Sequence, residues 1–419
     1  MALKKKPVTG MKDILPEEME IRDYVIGIIK ETYKEFGFTS IETPCVEHIE
    51  NLSSKQGGEN EKLIFKILKR GDKLKAVQEK GAEDENELAD GGLRYDLTVP
   101  LVRFYSNNAN GLPIPFKSLQ IGSVWRADRP QKGRYRQFYQ CDIDILGESS
   151  NLAEIELILA TTTTLGKLGF KNFQIKINDR QILKAMAGYS GFSEKDYDSV
   201  FITLDKLDKI GMEGVAGELL ENGFSQESID KYLDLFKGFE AAENGLQYIY
   251  DSLEEYLESS VKTGLKEIID SVSAVKSSDF EIVFDPSLVR GMSYYTGTIF
   301  EIAMPELGIA CGGGGRYDKM IGKFTGKDVP ACGFSIGFER IVLLLLENGF
   351  QVPNQKKKTA FLIEKGISSE KLCEIIAQAQ KLRSQGTQVL VARMNKNKKF
   401  QKETLAAQGY EEFQEFFVK

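Results

Sequence analysis

Residues 124–144 read VWRADRPQKGRYRQFYQCDID, and the fold class turns on how this stretch alternates. SLQIGSVWRA (118–127) before the turn and RQFYQCDIDILG (136–147) after it alternate apolar and polar residues and carry aromatics, which predicts two antiparallel strands joined by a Pro/Gly turn. On the second strand Gln140, Asp142 and Asp144 stand two residues apart and therefore share a face. An amide and two carboxylates are costly to bury unpaired, so this face either receives an ammonium or other polar ligand or is turned to solvent. Arg126, Arg129, Lys132, Arg134 and Arg136 fall within eleven residues beside the turn. A strand-loop-strand hairpin aims such cations at one region, and the planar guanidinium suits phosphate. The two readings are a binding site for a triphosphate or RNA phosphate, and a solvated basic hairpin paired with surface glutamates.

Working outward, LRYDLTVPL (93–101) alternates Arg94, Asp96 and Thr98 at the start of an expected helix, where Asp96 or Thr98 would cap free amides. Residues 16–36 space Ile21, Val25, Ile28, Ile29 and Tyr33 as an amphipathic helix that Gly37 ends. FTSIETPCVE follows as a strand that Pro44 breaks or keeps at an edge. Residues 51–92 are polar apart from LIFKIL and read as a loop with one short strand or hairpin. Residues 151–168 are expected to be a helix and FQIKIND (173–179) a strand, with a mainly helical insertion at about 180–277. Strands resume at FEIVFDPSLVRGMSYYTGTIFEIAM (280–304), and VPACGFSIGFERIVLLLLENG (329–349) is a strand delivering into a helix. The sheet is thus built from distant pieces. Beyond VPNQKKK, a strand, helix, strand and further helix make a βαβ-like unit. The expected architecture is α+β: an antiparallel sheet flanked by helices over 1–350, a linker at 351–358, and a small α/β domain over 359–419.

Composition narrows the chemistry. Fifty-five Lys and Arg against 62 Asp and Glu leave a net charge of −7, so any RNA contact must be local. The single histidine, His48, is expected to be structural, and it rules out a Ser-His-Asp triad with a spare and any HExxH zinc site. Five scattered cysteines without a CxxC pair argue against a disulfide framework or a structural zinc. No apolar run approaches the ~20 residues of a membrane span, which points to a cytoplasmic protein.

Two further segments are chemically unusual. In LVRGMSYYTGTIFE (288–301) Arg290 is followed by Tyr294 and Tyr295 in a strand-like run, and a buried arginine needs an anion, either a structural carboxylate or a substrate. Gly312 to Gly315, ahead of Arg316, Tyr317 and Asp318, allow close approach of a ligand or of another strand. There is no GxxxxGK[ST] loop, so ATP would have to be held by another arrangement, such as an arginine hairpin.

Taken together, these motifs resemble those of class II aminoacyl-tRNA synthetases, and specifically the histidyl-tRNA synthetase family, from GMKDILPEE (10–18) to GFSIGFERI (333–341). The helix with Pro44 is similar to the first class motif, a dimer element; WRAD to CDID resembles the second; GFSIGFERI with Arg340 resembles the third. LVRGMSYYTG and GGGGRYD resemble signatures of the histidine enzymes. The resemblance implies ATP and Mg²⁺, histidine and tRNA(His) as ligands, and a homodimer. It implies a histidine pocket of Asp96, Leu97, Thr98, Arg126, Gln140, Asp144, Arg290, Tyr294 and Tyr295, with Tyr294 and Asp144 reading the imidazole. Arg126, Arg290 and Arg340 would serve catalysis. Asp128, Arg134 and Arg136 would join Arg126 and Arg340 around ATP, and Arg129, Gln131 and Lys132 would meet the tRNA acceptor end.

The chain departs from the family at Ser293, where an acidic residue is common. Its C-terminal unit resembles an anticodon-binding domain and is expected to lack the strand and helix that usually complete it. Lys396, Lys398, Lys399 and Lys402 there form either a phosphate patch or a solvated face. The alternative reading is a synthetase-like regulatory subunit of ATP phosphoribosyltransferase that senses histidine without catalysis.

Overall fold

The computed structural model describes residues 3–53, 61–82, 84–290, 294–305, 308–353 and 355–418. Ser293 lies outside them. The chain divides into two compact units, residues 1–13 with 25–348, and residues 14–24 with 349–419.

Strand β1 (Thr39–Ser40) lies at one edge of the main sheet of the first unit. Strands β2 (Val46–Glu47), β3 (Lys66–Leu68) and β4 (Ala89–Leu93) form a separate antiparallel sheet in the order β2-β4-β3. The main sheet continues with β5 (Phe116–Trp125), β6 (Gln137–Leu146), β7 (Phe173–Asp179), β8 (Phe280–Phe284), β9 (Thr298–Met304), β10 (Ile309–Arg316) and β11 (Ala331–Ile336). Its order is β1-β5-β6-β11-β10-β9-β7-β8. The six inner strands are antiparallel, as expected, while both edge pairs, β1 with β5 and β7 with β8, are parallel, so the sheet is mixed. The hairpin that decided the reading is present, with Gln120 opposite Asp142 and Ser118 opposite Asp144.

Helices cover the sheet. In Pro16–Glu35 the side chains Val25, Ile29 and Tyr33 are fully buried, as their spacing predicts. Leu152–Lys167 buries Leu157, Ile158 and Leu165. Between β7 and β8 come the helices Arg180–Tyr189, Tyr197–Leu204, Leu207–Glu221, Gln226–Ala241, Gly245–Ser252 and Ser259–Val275, the helical insertion. Gly211 breaks Leu207–Glu221 with φ 68°, ψ 175°.

Within the stretch expected to be a loop with one short strand or hairpin, Asp72–Lys80 is a helix. It buries none of its residues, so it has no apolar periodicity to read; its Lys, Leu, Ala, Gln and Glu support it through propensity alone.

In the second unit, β12 (Lys358–Ile363), β13 (Gln388–Arg393) and β14 (Glu412–Phe416) form a parallel sheet in the order β13-β12-β14. Helices Ser369–Ser384 and Lys398–Ala407 connect them. Strand β14 adds a third strand to the strand, helix, strand and helix expected there: the EFQEF segment pairs with β12 through backbone groups, and Phe416 packs on Phe361 at 5.0 Å. All five cysteines are free thiols, and no helix among the described residues is long and apolar enough to cross a membrane.

Candidate active site

The site is a cleft of about 700 Å³ over the middle of the main sheet, walled by β6, β9, β10 and β11, the Arg126–Gln140 hairpin and the residues around Arg290. Its floor is the alternating face of β6. Gln140, Asp142 and Asp144 all line it, so the shared face is turned into the cleft, and Asp142 and Asp144 are 4% and 3% exposed. Gly333, paired with Asp144 across the sheet, makes the room: a Cβ there would lie 2.0 Å from Asp144 Oδ1.

Burial dominates the acidity of this floor. It pushes the Asp144 carboxyl up to about 7, against the hydroxyl of Tyr317, which donates to Oδ1 at 2.5 Å. Asp142 is pushed well above the usual carboxylate range by burial and then by repulsion from Asp144. Asp96 is raised as well, first by burial, although its Oδ1 accepts the Val99 amide at 3.0 Å. The capping role expected at the start of the helix Thr98–Asn108 therefore falls to Asp96. The second oxygen of that carboxyl, Oδ2, has no partner, nor do Gln140 Oε1, Asp142 Oδ1 and Arg290 Nε, all buried. Four such orphans in one cleft mark a place shaped for a ligand rather than for the empty chain.

The cations lie around this acidic floor. The Arg126 guanidinium is 4.2 Å from the Tyr95 ring and 5.2 Å from Phe138, and its Nε donates to the Tyr95 carbonyl at 3.1 Å. This stacking fixes its plane without consuming its charge. Arg134 donates to Asp128 Oδ2 from Nε at 3.1 Å, and the same carboxylate oxygen is 3.0 Å from Nη2. Arg290 has φ 60°, a left-handed conformation that a non-glycine residue adopts at a cost. Its Nη1 donates to Glu301 Oε2 at 2.6 Å, so its anionic partner is a carboxylate on β9. Gly313 leaves space for it, since a Cβ there would stand 2.7 Å from Arg290 Cζ. Arg340, in the first turn of the helix Phe338–Glu347, donates to the Ala310 carbonyl. Tyr294 and Tyr295 pack ring to ring at 4.8 Å, and Tyr317 meets Tyr294 edge-on at 5.9 Å.

The cleft thus brings together Asp96, Thr98, Arg126, Asp128, Arg134, Gln140, Asp144, Arg290, Tyr294, Tyr295 and Arg340. Five expected residues are not on its wall. Leu97 is 1% exposed and faces the core, contributing only its carbonyl, which accepts from Gln120 at 3.1 Å. Arg136 turns back to the Asp128 carbonyl at 3.0 Å, with its stem against Gly10. Arg129, Gln131 and Lys132 stand exposed at the hairpin tip, and Lys132 Nζ is 2.5 Å from Glu347. At the tip, then, the pairing with a surface glutamate is present as well.

Sequence reasoning missed Asp142 as a site residue, although it sits in the alternation. It also missed Glu301 and Tyr317. Lys176, Asp205, Asp208 and Lys209 reach the cleft from β7 and the insertion and gave no local signal. Among the described residues no group of three His, Cys, Asp or Glu could hold a metal ion.

Comparison with known proteins bears on this geometry. A family model described as histidyl-tRNA synthetase matches residues 10–341. The chain is 44% identical over 415 residues to a protein of Leifsonia xyli subsp. xyli named histidine–tRNA ligase, covering 97% of this chain and 94% of that one. The crystal structure of a histidyl-tRNA synthetase from Nostoc sp. PCC 7120 superposes with a TM-score of 0.77 at 26% identity, covering 97% of this chain and 90% of that one. A structure from Bacillus halodurans C, described as an ATP phosphoribosyltransferase regulatory subunit/histidyl-tRNA synthetase, matches all of both chains with a TM-score of 0.78. Its identity of 20% speaks for the fold alone.

Proposed function

The chain belongs to the histidyl-tRNA synthetase family, with the activity of a histidine–tRNA ligase, and from that premise we propose how its cleft activates histidine with ATP. The observation that carries the proposal is the polarity of the cleft: buried acceptors without partners on its floor and arginines around them. A free amino acid needs acceptors for its ammonium, and its carboxylate must meet a triphosphate held by cations.

Asp96 and Gln140, whose Oδ2 and Oε1 are without partners, receive the ammonium group beside Thr98. Asp144, oriented by Tyr317, and Tyr294 with Tyr295 read the imidazole. The histidine carboxylate, ionised at neutral pH, attacks the α-phosphorus of ATP and pyrophosphate leaves, so no general base is needed. Negative charge grows on the phosphoryl oxygens, and the fixed guanidiniums of Arg126, Arg290 and Arg340 answer it without reorganising. Arg134, held by Asp128, faces the polyphosphate. A Mg²⁺ ion entering with the triphosphate needs only one or two protein carboxylates; Glu301 and Glu339 on the cleft wall are suited to hold it. When bound it would neutralise phosphate charge. In the second step the terminal ribose hydroxyl of tRNA(His) attacks the adenylate carbonyl, the acyl–phosphate bond breaks and AMP leaves with the hydroxyl proton, while the exposed tip Arg129, Gln131 and Lys132 meets the acceptor end. Phosphate affinity is then local, in keeping with the net charge of −7.

We also propose a cytoplasmic homodimer using the region around Pro44, and an anticodon-facing role for residues 359–419. The test is histidine-dependent exchange of pyrophosphate into ATP, with the other amino acids as controls and Arg290→Ala alongside. Exchange with histidine alone, lost in the variant, is expected. Histidine binding without exchange would overturn the reading in favour of a regulatory, histidine-sensing protein.

A further inference from the structure

Of the three buried carboxylates on the cleft floor, Asp142 is the one that the activation chemistry leaves unassigned. It projects from the middle of β6, between Gln140 and Asp144, 4% exposed, on the wall of the cleft. The groups around it are Asp144 on its own strand, Ser335 on β11, Asp96 before the helix Thr98–Asn108, Arg126 on the hairpin and the Tyr295 hydroxyl. Ser335 hydrogen-bonds the Asp142 carboxyl, yet Oδ1 has no partner. Burying a carboxylate with an open acceptor is costly, and a position with no binding role would be served better by an apolar or amide side chain.

The orphan acceptors of the floor are three, Asp96 Oδ2, Gln140 Oε1 and Asp142 Oδ1, whereas Asp144 Oδ1 already accepts from Tyr317. A primary ammonium has three N–H donors and no acceptor. A neutral imidazole offers one donor and one acceptor, and a carboxylate or phosphate offers acceptors only. Of the groups that an amino acid and ATP bring into the cleft, the ammonium is therefore the one whose donors match all three orphans.

We propose that Asp142 is a specificity-determining residue of the site, supplying the third acceptor for the substrate's α-ammonium. Asp96 and Asp142 together set one buried carboxylate on either side of that cation, so a ligand with the imidazole but no amino group forfeits the pairing. Burial and the neighbouring Asp144 hold the Asp142 carboxyl well above its ordinary range, so both disfavour a charge there in the empty cleft. For the same reason an asparagine at this position is compatible with the fold.

The inference rests on histidine activation, and the experiment separates the two. Pyrophosphate exchange is measured with wild-type enzyme and Asp142→Asn, varying histidine and ATP in turn. Inhibition by 3-(imidazol-4-yl)propanoate, which lacks only the amino group, is measured alongside. Asp142→Asn is expected to raise the KM for histidine by between about ten- and a hundredfold, the range for a hydrogen bond to a charged group. The KM for ATP and the inhibition constant of the propanoate should stay within about twofold. Asp142→Ala gives the same split should the amide variant fail to fold. An unchanged histidine KM overturns the proposal, as does a propanoate constant that rises in parallel, which would assign Asp142 to the imidazole. A wild-type enzyme with no histidine-dependent exchange would instead overturn the activation reading itself.

Discussion

The hydroxyl of Tyr317 donates to Asp144 Oδ1 at 2.5 Å, tying the second residue after the glycine run to the carboxylate at the inner end of the β6 face. This bond lowers a carboxyl that burial otherwise raises, with the balance at about 7. Tyr317→Phe removes the donor and moves Asp144 above 7. With ionised Asp144 accepting the imidazole N–H, kcat/KM for histidine in the wild type falls as pH drops through about 7. In the variant this limb should lie at higher pH, with roughly a tenfold loss near neutrality. The substrate's own titration is common to both enzymes and cancels in the ratio. Coincident limbs would remove Asp144 from imidazole reading.

The same carboxyl bears on stability. An aspartate that ionises at 3.8 when unfolded and at about 7 in the fold keeps a proton that the unfolded chain has released between those values. Its contribution is fully present below the unfolded pKa and is lost as pH rises through the folded one. Asp144→Asn does not titrate, so it should stabilise the unliganded protein at pH 8, by no more than about 4 kcal/mol, and much less at pH 4. Thermal melting at the two pH values reads this difference. A variant less stable than wild type at pH 8 would show that the charge is compensated.

The three atoms nearest to a Cβ at Gly333 all belong to side chains, Asp144 Oδ1 at 2.0 Å, Asp144 Cγ at 3.0 Å and a ring carbon of Tyr317 at 3.3 Å. Gly333→Ala should therefore rotate Asp144 out of place rather than break the sheet. The expected result is a histidine KM higher by about tenfold or more, with the ATP KM within a few fold. Steady-state exchange kinetics check it. Gly313 differs, because its Cβ would meet the Phe300 carbonyl as well as Arg290, and Gly313→Ala should lose stability together with activity.

How much of this was legible in advance depended on distance along the chain. The hairpin and the common face of Gln140, Asp142 and Asp144 followed from alternation within each of two neighbouring ten-residue strands. The need of Arg290 for an anion was readable too, but not that Glu301 would meet it, because β9 and the Arg290 loop approach each other only in the fold. Arg136 and Leu97 lie off the cleft wall for a related reason. Motif position marks a residue as near a site, whereas the side-chain direction comes from backbone partners such as the Asp128 carbonyl and from packing against Gly10. Asp205, Asp208 and Lys209 reach the cleft from a helical insertion whose sequence shows only helical spacing.

Arg316 carries Tyr317, and its guanidinium grips Glu154 with Nε–Oε1 and Nη2–Oε2 both at 2.7 Å. The Glu154 side chain is 1% exposed. Glu154→Ala leaves a buried cation without its partner, a change expected to cost about 3–5 kcal/mol. Denaturant midpoints should record it, and the histidine KM should rise as Tyr317 loosens. An unaltered midpoint would mean that Asp318 and the Glu148 and Ser150 carbonyls, which Arg316 also contacts, suffice.

In the C-terminal unit the lysine cluster already has carboxylate partners: Lys398 and Lys402 both meet Glu415, and Lys399 lies 3.9 Å from Glu403. The lysines of these pairs are partly to largely exposed, so each pair contributes about 0–1 kcal/mol at most. Pairing favours the solvated face over a phosphate patch, because a phosphate would have to displace Glu415 from two lysines at once. Replacing Lys396, Lys398, Lys399 and Lys402 together by alanine should therefore leave pyrophosphate exchange unchanged, since the cleft is lined entirely from residues 96–340. The KM for tRNA in aminoacylation should change by less than about threefold and keep its dependence on salt. A tenfold rise in that KM, with a shallower salt dependence and normal exchange, would instead make the cluster an RNA phosphate contact. Glu415 would then be the group that occupies it until RNA arrives.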